Sequence, residues 1–365
     1  MKTTAAIARE HGQELTIEEI DLDELRPHEL RVRIVASGVC HTDAIVRDGV
    51  YPTPLPAVLG HEGAGVVEAV GQHVTTAKVG DHVVLAAAYC GHCRQCISGN
   101  MVYCENLFAQ DFGGRRDDGS TAFSSNGEPI SSHFFGQSSF AAYANVTETS
   151  IVVVDPDLPL ETIGPLGCGL QTGAGAVLNE LKPKIGSTAA VIGTGAVGFG
   201  ALMAAAAADC RLVIAIDIND ARLELAREMG ATHTINSKTS NMLDEIAKIS
   251  ASGVDYIVDT TANPSVLHDA AQALAIRGTL ATVGAAAPGT EASFEIGGSL
   301  IKGWTFKTIV QGSSIPQEFI PRLIGLWRAG RFPFDRLIKQ YPLDQINQAF
   351  TDSAEGRVIK PVVMH

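Results

Sequence analysis

Residues 189–198 read AAVIGTGAVG, an apolar run followed by three glycines in the spacing G-x-G-x-x-G. Apolar runs of this length are typical of strands buried on both faces, and the residues after the turn have helical composition. In this spacing Gly193 allows a tight turn, Gly195 lets a phosphate approach the backbone, and Gly198 lets helix and strand pack closely. The stretch therefore predicts a strand, a turn and a helix that bind a dinucleotide.

The alternation of strand and helix extends on both sides of this stretch. Apolar runs that predict further buried strands occupy residues 212–216, 256–258 and 279–283. Segments with helical spacing occupy residues 172–181, 197–208, 221–229 and 265–275. This rhythm is typical of a parallel, doubly wound sheet. Another apolar stretch, at residues 304–310, predicts an edge strand that a second copy of the chain could extend.

The first 150 residues have a different pattern, in which apolar and polar residues alternate and Gly or Pro interrupts often. Short strands are predicted at residues 30–36, 65–70 and 81–86. Periodicity is lost over residues 107–132, which predicts a long surface loop. After about residue 312, a helix at 317–329 and a strand at 358–363 are expected to return to the first domain. The predicted fold class is α/β, with a mostly-β domain and a doubly wound parallel sheet.

Size and composition exclude several classes of protein. With 365 residues, the chain exceeds what one hydrophobic core usually serves, so two domains are expected. The net charge of −13 argues against nucleic acid or an anionic membrane as a partner. The first ten residues do not resemble a secretory signal, and no apolar run approaches the ~20 residues of a membrane span. We therefore expect a cytoplasmic protein.

Four of the seven cysteines crowd into residues 90–104, with the spacing C-x₂-C-x₂-C-x₇-C. This use of cysteine suits metal binding in a reducing compartment better than a disulfide framework. Four thiolates close the coordination shell of Zn²⁺, so such a site stabilises a loop and does no chemistry. The alternative is an iron-sulfur cluster, although a second cysteine cluster or a following Cys-Pro is lacking. The predicted ligands are Cys90, Cys93, Cys96 and Cys104.

A second set of metal-binding side chains comes from three separate segments, CHTD at residues 40–43, GHEG at 60–63 and GCG at 167–169. Two thiolates and one imidazole suit a catalytic Zn²⁺, which keeps its fourth position open. The alternative is that these are ordinary buried thiols and a loop histidine. The predicted ligands are Cys40, His61 and Cys168.

An acidic residue stands nineteen positions after the last fingerprint glycine, at the end of the next predicted strand. A carboxylate at Asp217 can accept hydrogen bonds from the adenosine ribose and would repel a 2′-phosphate, which favours NAD over NADP. Arg222 is close enough in sequence to leave NADP open. The structural alternative is that Asp217 caps the following helix.

Together these motifs resemble the zinc-containing medium-chain alcohol dehydrogenases over essentially the whole chain, and most of all the bacterial aryl-alcohol (benzyl alcohol) dehydrogenases. The segments that carry the resemblance are CHTD at 40–43, PLP at 54–56 leading into GHEG at 60–63, GCGLQTGAG at 167–175 and FPFD at 332–335. The resemblance implies a GroES-like catalytic domain at 1–169 with a structural-zinc lobe at 90–104, a Rossmann domain at 170–312 and a return to the catalytic domain at 313–365.

The resemblance also implies roles for single residues and two Zn²⁺ per subunit. Cys40, His61 and Cys168 would hold a catalytic zinc, the ligand set already known from alcohol dehydrogenases. Asp43 would orient His61, Thr42 would take the alcohol proton, and Glu62 would lie behind the zinc. The cofactor would be NAD. Its expected contacts are Gly193, Thr194, Gly195, Ala196, Val197, Gly198, Asp217, Ile218, Arg222, Thr172, His41 and Lys360.

Two positions depart from the family pattern. Ile45 stands where many relatives carry a histidine that passes the proton to solvent, so the proton must leave through ribose and water or through His41. His41 stands where some relatives carry an arginine for the cofactor pyrophosphate. We expect NAD to bind less tightly as this imidazole loses its proton, and the same pH profile in His41→Gln would contradict this expectation.

The resemblance also narrows the substrate. Polyol dehydrogenases tend to carry Glu in place of Cys168, and relatives for small alcohols often carry a bulky aromatic in place of Ala86. A roomier pocket for an aryl primary alcohol and its aldehyde is therefore expected, with Phe134, Phe135 and Phe140 either lining it or packing in the core. The alternatives are a geraniol- or perillyl-type alcohol dehydrogenase and a non-catalytic, NAD-responsive zinc protein. A homodimer or homotetramer is expected.

Overall fold

The computed structural model describes the whole chain, residues 1–365, which divides into two compact units. The first unit comprises Met1–Cys168, Ile315–Pro321 and Asp335–His365. The second comprises Gly169–Ser314 and Arg322–Phe334. None of the helices combines the length and the apolar composition that a membrane span requires.

Short strands dominate the first 168 residues. The strands are β1 (Lys2–Ala8), β2 (Thr16–Leu22), β3 (Glu29–Gly38), β4 (Ala57–Val58), β5 (Gly63–Val70), β6 (His82–Leu85), β7 (Phe123–Ser125), β8 (Glu128–Ile130), β9 (Tyr143–Thr147) and β10 (Ile151–Val154). The α-helices are short: α1 (His41–Arg47), α2 (Arg94–Ile97), α3 (Leu107–Phe112) and α4 (Leu160–Ile163). A 3₁₀ turn at Gly164–Gly167 leads to Cys168.

The second unit is built on strands that alternate with helices. They follow in the order α5 (Gly169–Gly175), β11 (Thr188–Ile192), α6 (Ala196–Ala207), β12 (Leu212–Asp217), α7 (Asp220–Glu228), β13 (His233–Asn236), α8 (Met242–Ile249), β14 (Val254–Asp259), α9 (Pro264–Ala273), β15 (Leu274–Thr282), α10 (Ile296–Lys302) and β16 (Thr305–Thr308). A π-helical segment, Ala176–Leu181, continues α5. The last elements of the chain are α11 (Pro316–Arg328), β17 (Ile338–Pro342), α12 (Ile346–Ala354) and β18 (Lys360–Met364).

Two sheets organise the first unit. One has the order β4-β1-β2-β7-β8, and the other the order β10-β6-β5-β3-β18-β17, with β9 also pairing with β3. The alternation predicted for residues 30–36 is present in β3, where Val32 and Ile34 are buried and the alternating Arg31 and Arg33 are partly exposed. Because β18 pairs with β3, the last strand of the chain lies in the first unit. The expectation that all of residues 313–365 return to this unit differs from the structure, because Arg322–Phe334, with most of the helix predicted at 317–329, belongs to the second unit.

The sheet of the second unit is parallel throughout, in the order β13-β12-β11-β14-β15-β16. Counted from β11, this is the 3-2-1-4-5-6 order of the Rossmann fold. All five residues of β11 are buried, as expected for a central strand covered on both faces. The predicted fold class is confirmed, and the strand predicted at 304–310 is β16, at the edge of the sheet.

The prediction of a long loop at 107–132 is wrong. This segment contains α3 and the antiparallel pair β7 and β8. The two strands are joined by Asn126 and Gly127, which both have positive φ, at 53° and 83°. An Asn-Gly pair is the strongest short signal for a two-residue hairpin turn, but strands of three residues are too short to show period-two alternation.

Candidate metal centres and cofactor site

The side chain of Asp43 joins two of the predicted ligand segments. Cys40 is the residue before α1, and its backbone N–H donates to Oδ2 of Asp43 at 2.9 Å. The other oxygen, Oδ1, accepts from the N–H of Gly60 at 3.1 Å and lies 2.8 Å from Nδ1 of His61. The side chains of Asp43 and His61 are fully buried in the first unit. One carboxylate therefore fixes Cys40 and the loop of His61 against each other.

The other imidazole nitrogen of His61 has no hydrogen-bond partner. His61 is fully buried, and Nε2 is among the few buried polar side-chain atoms without a partner. A buried polar atom of this kind is costly unless a ligand or ion satisfies it. The ligand atoms of Cys40, His61 and Cys168 lie within 4.8 Å of one another. Two sulfurs and one imidazole fit Zn²⁺ in both number and softness.

The two sulfurs share a hydrogen bond, which affects their ionisation. The contact with Cys168 lowers the pKa of Cys40 well below its usual value, and the same contact raises the pKa of Cys168. The pair therefore favours one thiolate, and the thiolate is the form of cysteine that binds metals.

Three predicted site residues lie around this cluster. The hydroxyl oxygen of Thr42 is 3.9 Å from Sγ of Cys40. Glu62 is fully buried and pairs with Lys360, whose Nζ lies 2.8 and 3.0 Å from the two carboxylate oxygens and donates to the carbonyl of Val39 at 3.1 Å. Burial raises the pKa of Glu62, although Lys360 opposes this shift. The ammonium of Lys360 is thus engaged by Glu62 within the first unit, while His41 is exposed at the start of α1.

A buried turn presents two aromatic rings to His61. Phe135 stacks on the imidazole with centroids 4.4 Å apart, and Phe134 meets it edge-on at 5.5 Å. The contacts continue outward through Phe112, which touches both rings. Phe140, in contrast, packs against Phe350 in the core. The predicted trio therefore separates into two rings beside His61 and one core residue.

Two polar residues are buried near this turn, and the sequence does not predict that either belongs to the site. The carboxyl of Asp111 in α3 accepts from the N–H of Ala88, and burial raises its pKa to about 8. The carboxamide of Gln137 contacts the backbone of His61. Neither residue belongs to a motif; Asp111 lies in the segment at 107–132 where periodicity is lost, and no local sequence signal identifies Gln137.

The four cysteines of the lobe also converge, with sulfurs within 4.8 Å of one another. Backbone N–H groups of Cys96 and Glu105 donate to Sγ of Cys93 and lower its pKa to about 6, while burial raises the pKa of Cys96 to about 12. The lobe's own secondary structure is only α2 and a 3₁₀ turn at Met101–Tyr103. This donor set fits a closed, structural Zn²⁺. His92 is exposed and interacts with the carbonyl of Cys90.

The glycine fingerprint connects β11 to α6 in the second unit. Gly193 has φ of +84°, and a Cβ on Gly198 would lie 1.8 Å from the carbonyl oxygen of Gly193, so both positions require glycine. The remaining predicted cofactor residues of this turn, Thr194, Gly195, Ala196 and Val197, lie at the start of α6. The turn thus exposes a helix N-terminus of the kind that binds phosphates.

Asp217 ends β12 beside this turn. Its Oδ2 accepts from the N–H and the hydroxyl of Thr194 at 2.6 and 2.7 Å, and its Oδ1 accepts from the N–H groups of Ile218 and Asn219. Arg222 approaches Oδ2 at 4.0 Å. The cap of α7 is Asn219 and not Asp217, since the Asn219 side chain accepts from the first turn of the helix. Thr172 lies in α5, in the same unit.

Similarity to known proteins agrees with this geometry. Residues 26–156 match the alcohol dehydrogenase GroES-like domain, and residues 196–326 match the zinc-binding dehydrogenase family. The chain is 43% identical to the geraniol dehydrogenase of Castellaniella defragrans over 364 residues, which cover 99% of this chain and 97% of that protein.

Two solved structures have nearly the same fold. An alcohol dehydrogenase zinc-binding domain protein from Burkholderia ambifaria is 52% identical, with a TM-score of 0.98 over 100% of this chain and 99% of that one. The benzyl alcohol dehydrogenase of Acinetobacter calcoaceticus is 45% identical, with a TM-score of 0.97 and the same coverage. The resemblance predicted from the sequence is therefore confirmed, and the chain belongs to the zinc-containing medium-chain alcohol dehydrogenases.

Proposed function

We propose that the protein is an NAD-dependent dehydrogenase with two Zn²⁺ per subunit, which interconverts an aryl primary alcohol and its aldehyde. The observation that carries the proposal is the Nε2 atom of His61, buried without a partner beside Cys40 and Cys168. An imidazole held in this way suits a metal ligand better than a packing residue. The aromatic ring of Phe135 lies against the same imidazole.

The side chains around this cluster have separate tasks in the proposed reaction. Bound there, zinc would supply Lewis acidity that makes the alcohol hydroxyl more acidic, and a nicotinamide would accept the hydride. Thr42, beside Cys40, would accept the alcohol proton through its hydroxyl oxygen. Asp43 would keep Nδ1 of His61 protonated, so that Nε2 remains available as a ligand. Glu62, held by Lys360, would place a carboxylate behind the ligands.

The second zinc would be structural and held by the four cysteines of the lobe. Backbone N–H groups donate to Sγ of Cys93 and of Cys104, and such hydrogen bonds favour the thiolates that metal binding requires. All seven cysteines of the chain are free. All but Cys210 belong to the two ligand sets, a use of thiols typical of the reducing cytoplasm, where we propose that the protein works.

The choice of NAD rests on Asp217. Its carboxylate is oriented by four donors of the chain and stands at the end of β12, next to the glycine turn. A negative charge at this place favours ribose hydroxyls and disfavours a 2′-phosphate. His41 would contact the cofactor pyrophosphate from α1, and Ile45, farther along α1, has no proton to pass on.

The aryl substrate is proposed from the aromatic surroundings of His61. Phe134, Phe135 and Phe112 form contiguous edge-to-face pairs, the arrangement that aromatic rings prefer among themselves. Ala86, just after β6, adds little bulk. A terpenoid or allylic primary alcohol is the second candidate, since the relative from Castellaniella defragrans is a geraniol dehydrogenase.

We also propose that two or four copies associate through the second unit. Its edge strand β16 has one unpaired side. On α10, Ile296, Leu300 and Ile301 are 83%, 81% and 81% exposed, an apolar helix face that a second copy could cover. The double variant Leu300→Lys, Ile301→Lys should then have a lower mass by light scattering than wild type, falling from a dimer to a monomer or from a tetramer to a dimer or monomer.

The experiment that tests the function combines a zinc count with NADH formation from benzyl alcohol and from geraniol. We expect two zinc per chain and turnover in wild type, one zinc and no turnover in Cys40→Ala, and no change in Cys210→Ala, whose thiol lies outside both ligand sets. Turnover of geraniol alone would favour the terpenoid substrate. One zinc in wild type and no turnover of any alcohol would instead indicate the non-catalytic, NAD-responsive protein.

A further inference from the structure

The turn that carries Phe135 has an uncommon backbone. His133, Phe135 and Ser138 have positive φ values of 58°, 52° and 54°, although none of them is glycine. All three are buried. Side chains with a Cβ adopt this conformation only when the surroundings enforce it, and such positions cluster at functional sites. The surroundings therefore fix the backbone conformation of this turn, and that conformation determines which of its side chains lie against His61.

Gln137 is the residue of this turn whose side chain bonds to the His61 segment itself. Its amide nitrogen donates to the carbonyl of His61 at 3.1 Å and to the carbonyl of Ala86 at 3.2 Å. Its amide oxygen accepts from the N–H of Gly63 at 3.1 Å. The side chain is fully buried, so water cannot replace these three bonds. Gln137 thus ties the start of β5 to the end of β6.

The same two strand ends support the segment that leads to Cys168. A Cβ on Gly164 would lie 2.3 Å from the carbonyl oxygen of Glu62, and a Cβ on Gly167 would lie 2.0 Å from that of Leu85. The 3₁₀ turn before Cys168 therefore packs directly on the backbone beside His61 and Ala86. Any shift between β5 and β6 would change the separation of His61 from Cys168.

From these contacts we infer that Gln137 is a positioning residue for the Cys40, His61 and Cys168 centre. Its carboxamide fixes the two strand ends that set the spacing of two ligands. The inference rests on the proposed function, because it requires that a metal binds to these three residues. Gln137 acts on the ligands through the backbone of His61 and Gly63, which its carboxamide holds.

The test compares Gln137→Leu with a matched control, Asn145→Leu. Asn145 is also a buried carboxamide of the first unit, and it also makes three hydrogen bonds, two to the carbonyls of Asp23 and Glu24 and one from Arg31. These bonds lie outside the ligand segments. Both variants lose a buried amide and are expected to lose similar stability. Zinc per chain is counted while each holoenzyme is titrated with a chelator of known affinity.

We expect Gln137→Leu to lose zinc from the three-ligand centre at a free chelator concentration about 10- to 100-fold lower than wild type requires. Asn145→Leu should lose its zinc at the same concentration as wild type. The four-cysteine site serves as an internal control and should keep its zinc in both variants. The visible spectrum of the Co²⁺-substituted protein should change in Gln137→Leu and not in Asn145→Leu. If Gln137→Leu does not fold, Gln137→Met, which has a similar length but no donor, is expected to show the same loss.

Equal zinc retention in the Gln137 variants and in Asn145→Leu would overturn the inference and leave the proposed function intact. A wild-type protein with no metal at the three-ligand centre would overturn both. A loss confined to the Gln137 variants supports the positioning role, since a general loss of stability would appear in the control as well.

Discussion

Nδ1 of His61 lies 2.8 Å from Oδ1 of Asp43, and neither side chain has any exposed surface. The same carboxylate accepts from the backbone of Cys40 and Gly60. A single acidic residue in the first turn of α1 thus orients the imidazole of one predicted ligand and holds the backbone of another. Partners that orient a metal-ligating imidazole commonly contribute substantially to metal affinity.

Asp43→Asn should therefore weaken metal binding at the three-ligand centre by about 10- to 100-fold. An amide has one acceptor oxygen, so the asparagine side chain cannot serve both Cys40 and the His61 loop as the carboxylate does. Competition with a chelator measures the loss. Asp48→Asn, at the exposed end of the same helix, is the control and should retain zinc like wild type. Equal affinity in the two variants would show that Asp43 has no such role.

Cys96→Ser should remove the other zinc and destabilise the protein without emptying the three-ligand centre. The lobe has little apolar core of its own beyond its cysteines, so a bound metal would replace the packing that it lacks. The zinc count should fall from two to one per chain, with the unfolding midpoint lower by about 5 °C or more. Cys210→Ser is the matched control, because Cys210 belongs to neither cluster. An unchanged midpoint in Cys96→Ser would contradict a structural role.

Asp217→Asn should weaken NAD binding by about 10- to 100-fold, the range expected for lost hydrogen bonds to a charged acceptor. NADP binding should change less, because the variant also removes the charge that repels the 2′-phosphate. Fluorescence titration with NADH and NADPH measures both affinities. Asp220→Asn, three residues along the chain and exposed, is the control. If both cofactors lose affinity equally, Asp217 only organises the turn at Thr194.

The sequence predicts the long buried strands well, and also the positions in the glycine turn where only glycine fits. Each strand expected between residues 189 and 283 is present, since a central parallel strand reads as an uninterrupted apolar run. The G-x-G-x-x-G spacing alone predicts the roles of Gly193 and Gly198 in the turn before α6, because no other residue fits those two positions. The seven side chains predicted as zinc ligands lie together in two groups, because Cys and His spacing reflects coordination chemistry directly.

Features that depend on contacts between distant residues are not predictable from a local pattern. Gln137 meets His61 across 76 positions, and Lys360 meets Glu62 across 298, so neither pair leaves such a pattern. The resemblance alone predicts that Lys360 contacts the cofactor, whereas its ammonium is bonded to Glu62 in the structure. The hairpin at 123–130 escapes prediction because its strands are only three residues long.

The ion cluster around Glu29 should make stability depend on pH in the acid range. Burial favours the neutral form of Glu29, but hydrogen bonds from His133 and Arg116 outweigh it and lower its pKa from 4.5 to about 2. A carboxyl with a lowered pKa stabilises the folded state above its unfolded pKa and loses this contribution as pH falls towards the folded pKa. The contribution is therefore complete near pH 6 and decreases between about pH 5 and 2.

Between about pH 6 and 3, wild type should lose about 2 kcal/mol more unfolding free energy than Glu29→Gln, which cannot titrate. Denaturant unfolding at several pH values measures the difference. Any metal released by acid affects both proteins alike, so it cancels in the comparison. Glu68→Gln removes an exposed pair with Arg33 and should follow the wild-type curve. Parallel curves for wild type and Glu29→Gln would contradict the lowered pKa.

Phe135→Leu tests whether the ring beside His61 selects aryl substrates. An aromatic pair contributes about 0.5–1.5 kcal/mol beyond the area that it buries, so replacing the ring should lower kcat/KM for benzyl alcohol by about 2- to 10-fold relative to hexanol. Phe123→Leu makes the same substitution in the core of the first unit and should lower stability while leaving the ratio between the two alcohols unchanged. If both alcohols lose the same factor in Phe135→Leu, the ring supports the imidazole and does not contact substrate. If kcat/KM falls for benzyl alcohol and not for hexanol, the substrate ring lies against Phe135, because a change in metal geometry alone would affect every alcohol alike.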